Sequence, residues 1–141
     1  MARILAIDFG EKRTGIAVTD PLQIIANGLT TVDTNTIHAF LDDYFAKEQV
    51  GKVVIGYPKT LRNEPAVVTA KIDKFLAKFT QRHPDIEVVK LDERFTSKMA
   101  FQTMIDSGIG RMARRNKALI DQISATIILQ YYLESTKYNI R

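Results

Sequence analysis

The chain contains no cysteine, which excludes a disulfide framework, an iron–sulfur cluster and any thiolate zinc site. Tryptophan is also absent, and the two histidines, His38 and His83, stand too far apart for a metal-ligand spacing. Long apolar runs are missing as well. The longest uncharged apolar stretch, Gln122 to Leu133, is interrupted by glutamine and too short to span a bilayer. The opening Met1-Ala2-Arg3 leads straight into strand-like sequence without a signal-peptide pattern. These absences predict a soluble, cytoplasmic protein with no membrane partner.

What is present is enough for one folded unit. At 141 residues, 45% hydrophobic and 26% charged, the chain reads as a single globular domain spanning 1–141 with a real core. The net charge of +4 leans mildly towards an anionic partner.

Strand and helix signals follow one another in a definite order. Ile4-Leu5-Ala6-Ile7-Asp8-Phe9-Gly10 is an apolar, β-prone run that ends on a carboxylate and a glycine, and Thr14 to Thr19 returns as a second. Ile24 to Val32 reads as a third strand after the turn at Asp20-Pro21, so these three form an antiparallel meander. Ile37, Leu41 and Phe45 then recur at helical spacing, with Asp33 or Thr34 as the N-cap. A buried strand, Lys52 to Gly56, leads through a polar loop to a helix from about Pro65 to Gln81, striped by Val68, Ile72, Phe75, Leu76 and Phe79. Ile86 to Leu91 is a fifth strand, Thr96 to about Ser107 a helix closed by Gly108, and about Asn116 to Ser135 a long final helix. This pattern predicts an α/β fold with a mixed five-stranded sheet, three strands antiparallel and then parallel ones, flanked by helices.

Three carboxylates attract attention. Asp8 ends the first strand, Glu93 follows the fifth, and Asp121 lies one turn into a final helix of mostly apolar residues. Sites in open α/β sheets form beyond the carboxyl ends of parallel strands. If the first and fifth strands are parallel neighbours, Asp8 and Glu93 lie side by side. Ser124 and Ala125 are small and would let the helix bring Asp121 close to the sheet. Three acids with no cysteine or histidine cluster favour Mg²⁺ or Mn²⁺, which take oxygen ligands. Each acid also has a plain structural role open to it. Asp8 could cap the turn at Gly10, Glu93 could pair with Arg94 or Lys98, and Asp121 with Lys117 four residues earlier.

Five motifs in one order carry a family resemblance: Asp8-Phe9-Gly10, Thr14-Gly15-Ile16-Ala17, Gly56-Tyr57-Pro58, Asp92-Glu93-Arg94-Phe95-Thr96-Ser97 and Lys117 to Ala125. Together they resemble the YqgF (RuvX) family of Holliday junction resolvase-like proteins and ribosomal RNA precursor nucleases, from Met1 to about Leu133. The resemblance implies a ribonuclease H-like fold and a divalent-metal-dependent nuclease. It also implies that Asp8, Glu93 and Asp121 are the catalytic, metal-binding acids. RNA is the favoured substrate, through 5′-end processing of pre-16S rRNA and association with ribosomal precursor particles. Branched DNA is the alternative, as is a non-catalytic binding module. A fourth acid, common among such enzymes, has Asp92 as its nearest candidate, although strand alternation points it away from Glu93. An actin-like or sugar-kinase ATPase shares the Asp-x-Gly hairpin but needs two such domains.

Basic residues surround these acids. Lys12 and Arg13, in the turn after Asp8, are candidates to grip substrate phosphates, or form a plain basic hairpin tip. Arg111, Arg114, Arg115 and Lys117 form a denser cluster leading into the final helix and read as a nucleic-acid contact. Arg94 either meets phosphate or buttresses Glu93. Tyr131 and Tyr132 read as core or interface residues rather than stacking platforms.

Overall fold

A computed structural model describes residues 2–57, 66–92 and 117–139. Strand β1 (Arg3–Asp8) lies in the middle of a five-stranded sheet, pairing antiparallel with β2 (Arg13–Thr19) on one side and parallel with β4 (Val50–Tyr57) on the other. β3 (Ala26–Asp33) completes the antiparallel meander beyond β2, and β5 (Glu87–Asp92) runs parallel beyond β4. The sheet order is therefore β3-β2-β1-β4-β5. This is the mixed sheet that the order of strand signals predicts.

Alternation along β1 builds a core on each face. Leu5 and Ile7 point to one side, where Ile16, Val53 and Ile55 join residues of helix α1 (Ile37–Lys47) and helix α2 (Ala66–Arg82). Ile37 and Leu41 from α1, and Ile72, Phe75, Leu76 and Phe79 from α2, are buried there, as their spacing predicts. Ile4 and Ala6 point to the other side, where helix α3 (Lys117–Asn139) lays Ala125, Ile128, Leu129, Tyr132 and Leu133 across the sheet. Tyr132 is a core residue: it is 9% exposed, and its hydroxyl accepts a 2.7 Å hydrogen bond from Lys52 Nζ.

Three sequence expectations change. β1 and β5 are parallel but not neighbours, because β4 lies between them. Two strand spacings, about 10 Å, therefore separate the backbones that end in Asp8 and Asp92. β3 begins at Ala26 rather than Ile24 because the Asp20 carboxylate seizes the connecting loop. It accepts backbone N–H bonds from Leu22 (3.1 Å), Ile24 (2.9 Å) and Ile25 (2.8 Å), which hold it below its ordinary pKa. Finally, neither Asp33 nor Thr34 caps α1. A 3₁₀ turn, Thr34–Thr36, precedes it and Thr36 is its N-cap, without a side-chain cap bond. The Thr34 hydroxyl instead lies 2.8 Å from that of Thr14 and 2.7 Å from the Gly10 carbonyl, tying the turn to the β1–β2 hairpin. The expected helix at 96–107 and the basic loop at 108–116 lie outside the described residues.

Candidate metal and nucleic-acid site

Asp8 is the last residue of β1, and the alternation that sends Ile4 and Ala6 towards α3 sends its side chain to the same face. Directly opposite it in the ladder is Gly15 of β2. Gly15 in turn lies against the backbone of α3: a Cβ there would strike the carbonyl of Asp121 and come within 3.0 Å of the Gln122 nitrogen. Only a residue without a side chain lets the helix approach so closely. Thus β1, β2 and α3 meet at one point and bring Asp8 and Asp121 to one corner of the sheet.

Arg13 stands two residues before Gly15 on the same face of β2. Its Nε donates to Asp121 Oδ2 at 3.1 Å, with Arg13 37% and Asp121 24% exposed. Asp121 therefore takes its cationic partner from the sheet. Lys12 is exposed at the hairpin, and its carbonyl accepts the Thr34 N–H at 2.9 Å, which fixes its backbone. Sequence reasoning expects Lys12 and Arg13 beside the proposed site of Asp8 and Asp121 but misses that Arg13 engages Asp121. It also misses that glycines on the sheet, rather than only the small residues of α3, set the helix's distance. Gly28 repeats the device on β3, where the Gln122 side chain covers it. The signal was present in the sequence, since Gly15, Ala17 and Ala6 are all small residues on one face.

Glu93, Arg94, Arg111, Arg114 and Arg115 lie outside the described residues, as do the side chains of Asp92 and Lys117. Among the described residues, no three Asp, Glu or His side chains form a metal-ligating group. Two carboxylates on one face nevertheless present only oxygen donors, and one or two carboxylates are what Mg²⁺ ordinarily takes from a protein. The residues present fit such an ion.

Tyr57, at the end of β4, serves the opposite face. Its hydroxyl donates to the Asp73 carboxylate at 2.9 Å, and Lys90 Nζ lies 4.5 Å from its ring centre.

Comparison with known proteins agrees with this architecture. The sequence profile of the family RuvX, described as Holliday junction resolvase, matches residues 2–135. A protein of Flavobacterium psychrophilum named "Putative pre-16S rRNA nuclease" is 62% identical over 133 residues, covering 94% of this chain and 97% of the relative. A protein of Bacteroides thetaiotaomicron with the same name is 51% identical over 138 residues, covering 98% of this chain and all of the relative. Among solved structures, Thermus thermophilus RuvC in complex with a Holliday junction superposes with a TM-score of 0.60 at 18% identity, covering 96% of each chain. At that identity the likeness is one of fold, and it is the ribonuclease H-like fold.

Proposed function

The chain belongs to the RuvX family, and on that footing we propose that it is a nuclease hydrolysing phosphodiester bonds in RNA, acting in 5′-end processing of pre-16S rRNA. The observation that carries this reading is the corner where Asp8, Arg13 and Asp121 meet at the carboxyl end of β1. The names borne by close relatives support RNA as the substrate.

In this reading Asp8 and Asp121, joined by Glu93, hold Mg²⁺ or Mn²⁺. Bound there, the cation supplies Lewis acidity and positive charge for hydrolysis. The chain's own contribution is geometric and electrostatic. The Asp8–Gly15 pairing fixes one carboxylate on the rigid centre of the sheet. Arg13 pairs with the Asp121 carboxylate while no cation is bound and puts a positive charge where a phosphate must approach. Lys12 is its neighbour in the hairpin, and Arg94, Arg111, Arg114, Arg115 and Lys117 are the further candidates for phosphate contact. The whole of 1–141 acts as one nuclease domain. Among the described residues no helix is long and apolar enough to cross a membrane, which agrees with a cytoplasmic role on ribosomal precursor particles.

Branched DNA is the second reading, favoured by the description of the family and by the fold of RuvC. Equal amounts of protein are incubated with a labelled RNA spanning the 5′ end of pre-16S rRNA and with a labelled four-way DNA junction, in Mg²⁺ and in Mn²⁺. Preferential cutting of the RNA is expected. Symmetrical cutting of the junction with intact RNA would overturn the RNA assignment.

A further inference from the structure

Phe9 follows Asp8 directly, and the alternation that gives Asp8 to the α3 face turns Phe9 to the opposite one. There it borders a cavity of about 490 Å³ between the β1–β2 hairpin, the 3₁₀ turn and α2, a size within the range of small-ligand sites. The cavity therefore begins one residue from the candidate metal site.

Its floor is aromatic. The rings of Phe9 and Phe75 lie 5.3 Å apart between centres, and those of His38 and Phe75 5.0 Å apart at 31°. His38 is the third ring of this surface. Burial, and then the nearby Lys78, Arg82 and His83, lower its pKa. Its Nδ1 is buried without a hydrogen-bond partner among the described residues, so a cationic ring would leave a buried donor unsatisfied.

The rim is basic. Lys71, Lys74 and Lys78 succeed one another at helical spacing on one face of α2 and all border the cavity. Lys71 pairs with Glu11 at 3.6 Å, which neutralises the one carboxylate of the lining. Lys74 and Lys78 form no ion pair among the described residues, and two like charges four apart weaken a helix slightly. Asn35 adds a side-chain amide at the mouth.

An aromatic floor with unpaired lysines at its edge suits a ligand with a flat ring joined to a phosphate. A fatty or aliphatic ligand would leave the lysines unused, and a bare phosphate would leave the rings unused. A base can enter such a cavity only if it is unpaired and unstacked from its neighbours. We propose that this cavity is a nucleotide subsite for single-stranded RNA, the base lying on Phe9 and His38, which Phe75 backs from the core, and the backbone phosphates on Lys74 and Lys78. The choice of RNA rests on the nuclease reading above; the ring-and-phosphate chemistry rests on the cavity. It follows that the RNA segment held in this cavity is single-stranded, with stacking and phosphate contact acting together.

The probe is a short single-stranded RNA carrying 5-iodouridine, bound in chelator so that no cleavage occurs. Lys74→Gln/Lys78→Gln is compared with the parent protein and with Lys47→Gln, whose lysine pairs with Asp43 on α1 away from the cavity. The double variant is expected to bind about tenfold more weakly and to lose roughly 1.4 from the slope of log affinity against log salt, about 0.7 for each phosphate contact. Lys47→Gln should match the parent. Irradiation should cross-link the RNA to peptides containing Phe9, His38 or Phe75. Unchanged affinity and slope, with cross-links elsewhere, would overturn the subsite, as would capture of an acidic peptide by these lysines with no binding of RNA. A parallel assay of the parent protein in Mg²⁺ and Mn²⁺ separates the two claims. Cleavage with unaltered binding by the variant removes the subsite and leaves the nuclease; variant-sensitive binding without cleavage does the reverse.

Discussion

Gly15 and Asp121 are separated by over a hundred residues of sequence, yet the α-carbon of one rests against the backbone carbonyl of the other. Because Gly15 is also the ladder partner of Asp8, this contact sets the distance between two acids that are far apart in the chain. Gly15→Ala should push α3 off the sheet. The expected loss of stability is about 1–3 kcal/mol, read by urea denaturation, with cleavage falling roughly a hundredfold from misplacement of the site. Gly28→Ala should cost less, since its added Cβ meets the movable end of the Gln122 side chain. Equal effects of the two substitutions would contradict this picture.

Arg13→Gln should separate structure from chemistry. The Arg13–Asp121 pair is partly exposed, so its loss should change stability by only about 0–1 kcal/mol. Removing a cation from beside Asp121 should tighten Mn²⁺ binding in the absence of nucleic acid, measured by calorimetric titration. Cleavage should weaken chiefly through a higher KM, as the proposed contact of Arg13 with substrate phosphate requires. Weaker Mn²⁺ binding would mean that Arg13 orients the carboxylate rather than competing for it.

Much of this was legible in the residues. Period-two runs ending in Asp8 and Asp92, and period-3.6 stripes such as Ile72-Phe75-Phe79, announce their own elements because each buries one face. Adjacency was harder. No local pattern says that β4 inserts between β1 and β5, since that order is settled by how the helices cover the two faces. The Asp20 turn was hidden for a related reason. Ile24 and Ile25 look like strand residues, but three backbone bonds to one carboxylate outweigh that preference and leave both exposed. Asp8 and Asp121 stand out as candidates by their odd position in apolar runs. The Arg13 partnership does not, because it joins residues through the tertiary fold alone.

Acid should weaken the fold through His38. Folding lowers its pKa below the ordinary 6.5 by burial and by Lys78, Arg82 and His83. Between the folded and unfolded values the unfolded chain binds more protons, so stability rises with pH across that window. The contribution is complete above the ordinary value and is lost as pH falls through it towards the folded one. His83, also lowered by burial, acts in the same direction. The urea midpoint should therefore be lower at about pH 5.5 than at about pH 7.5, and His38→Gln should shrink the difference. An undiminished difference in that variant would assign the effect to other groups.

The most direct test of the central claim is the cleavage of end-labelled single-stranded RNA in Mg²⁺ or Mn²⁺ by the parent protein and by Asp8→Asn, with a chelator control. Asparagine keeps the size of the side chain at the end of β1 while removing the charge that would hold a cation. Metal-dependent cleavage is expected from the parent, none in chelator, and none from a variant whose circular dichroism and urea midpoint stay close to the parent's. Full activity in Asp8→Asn would contradict that claim.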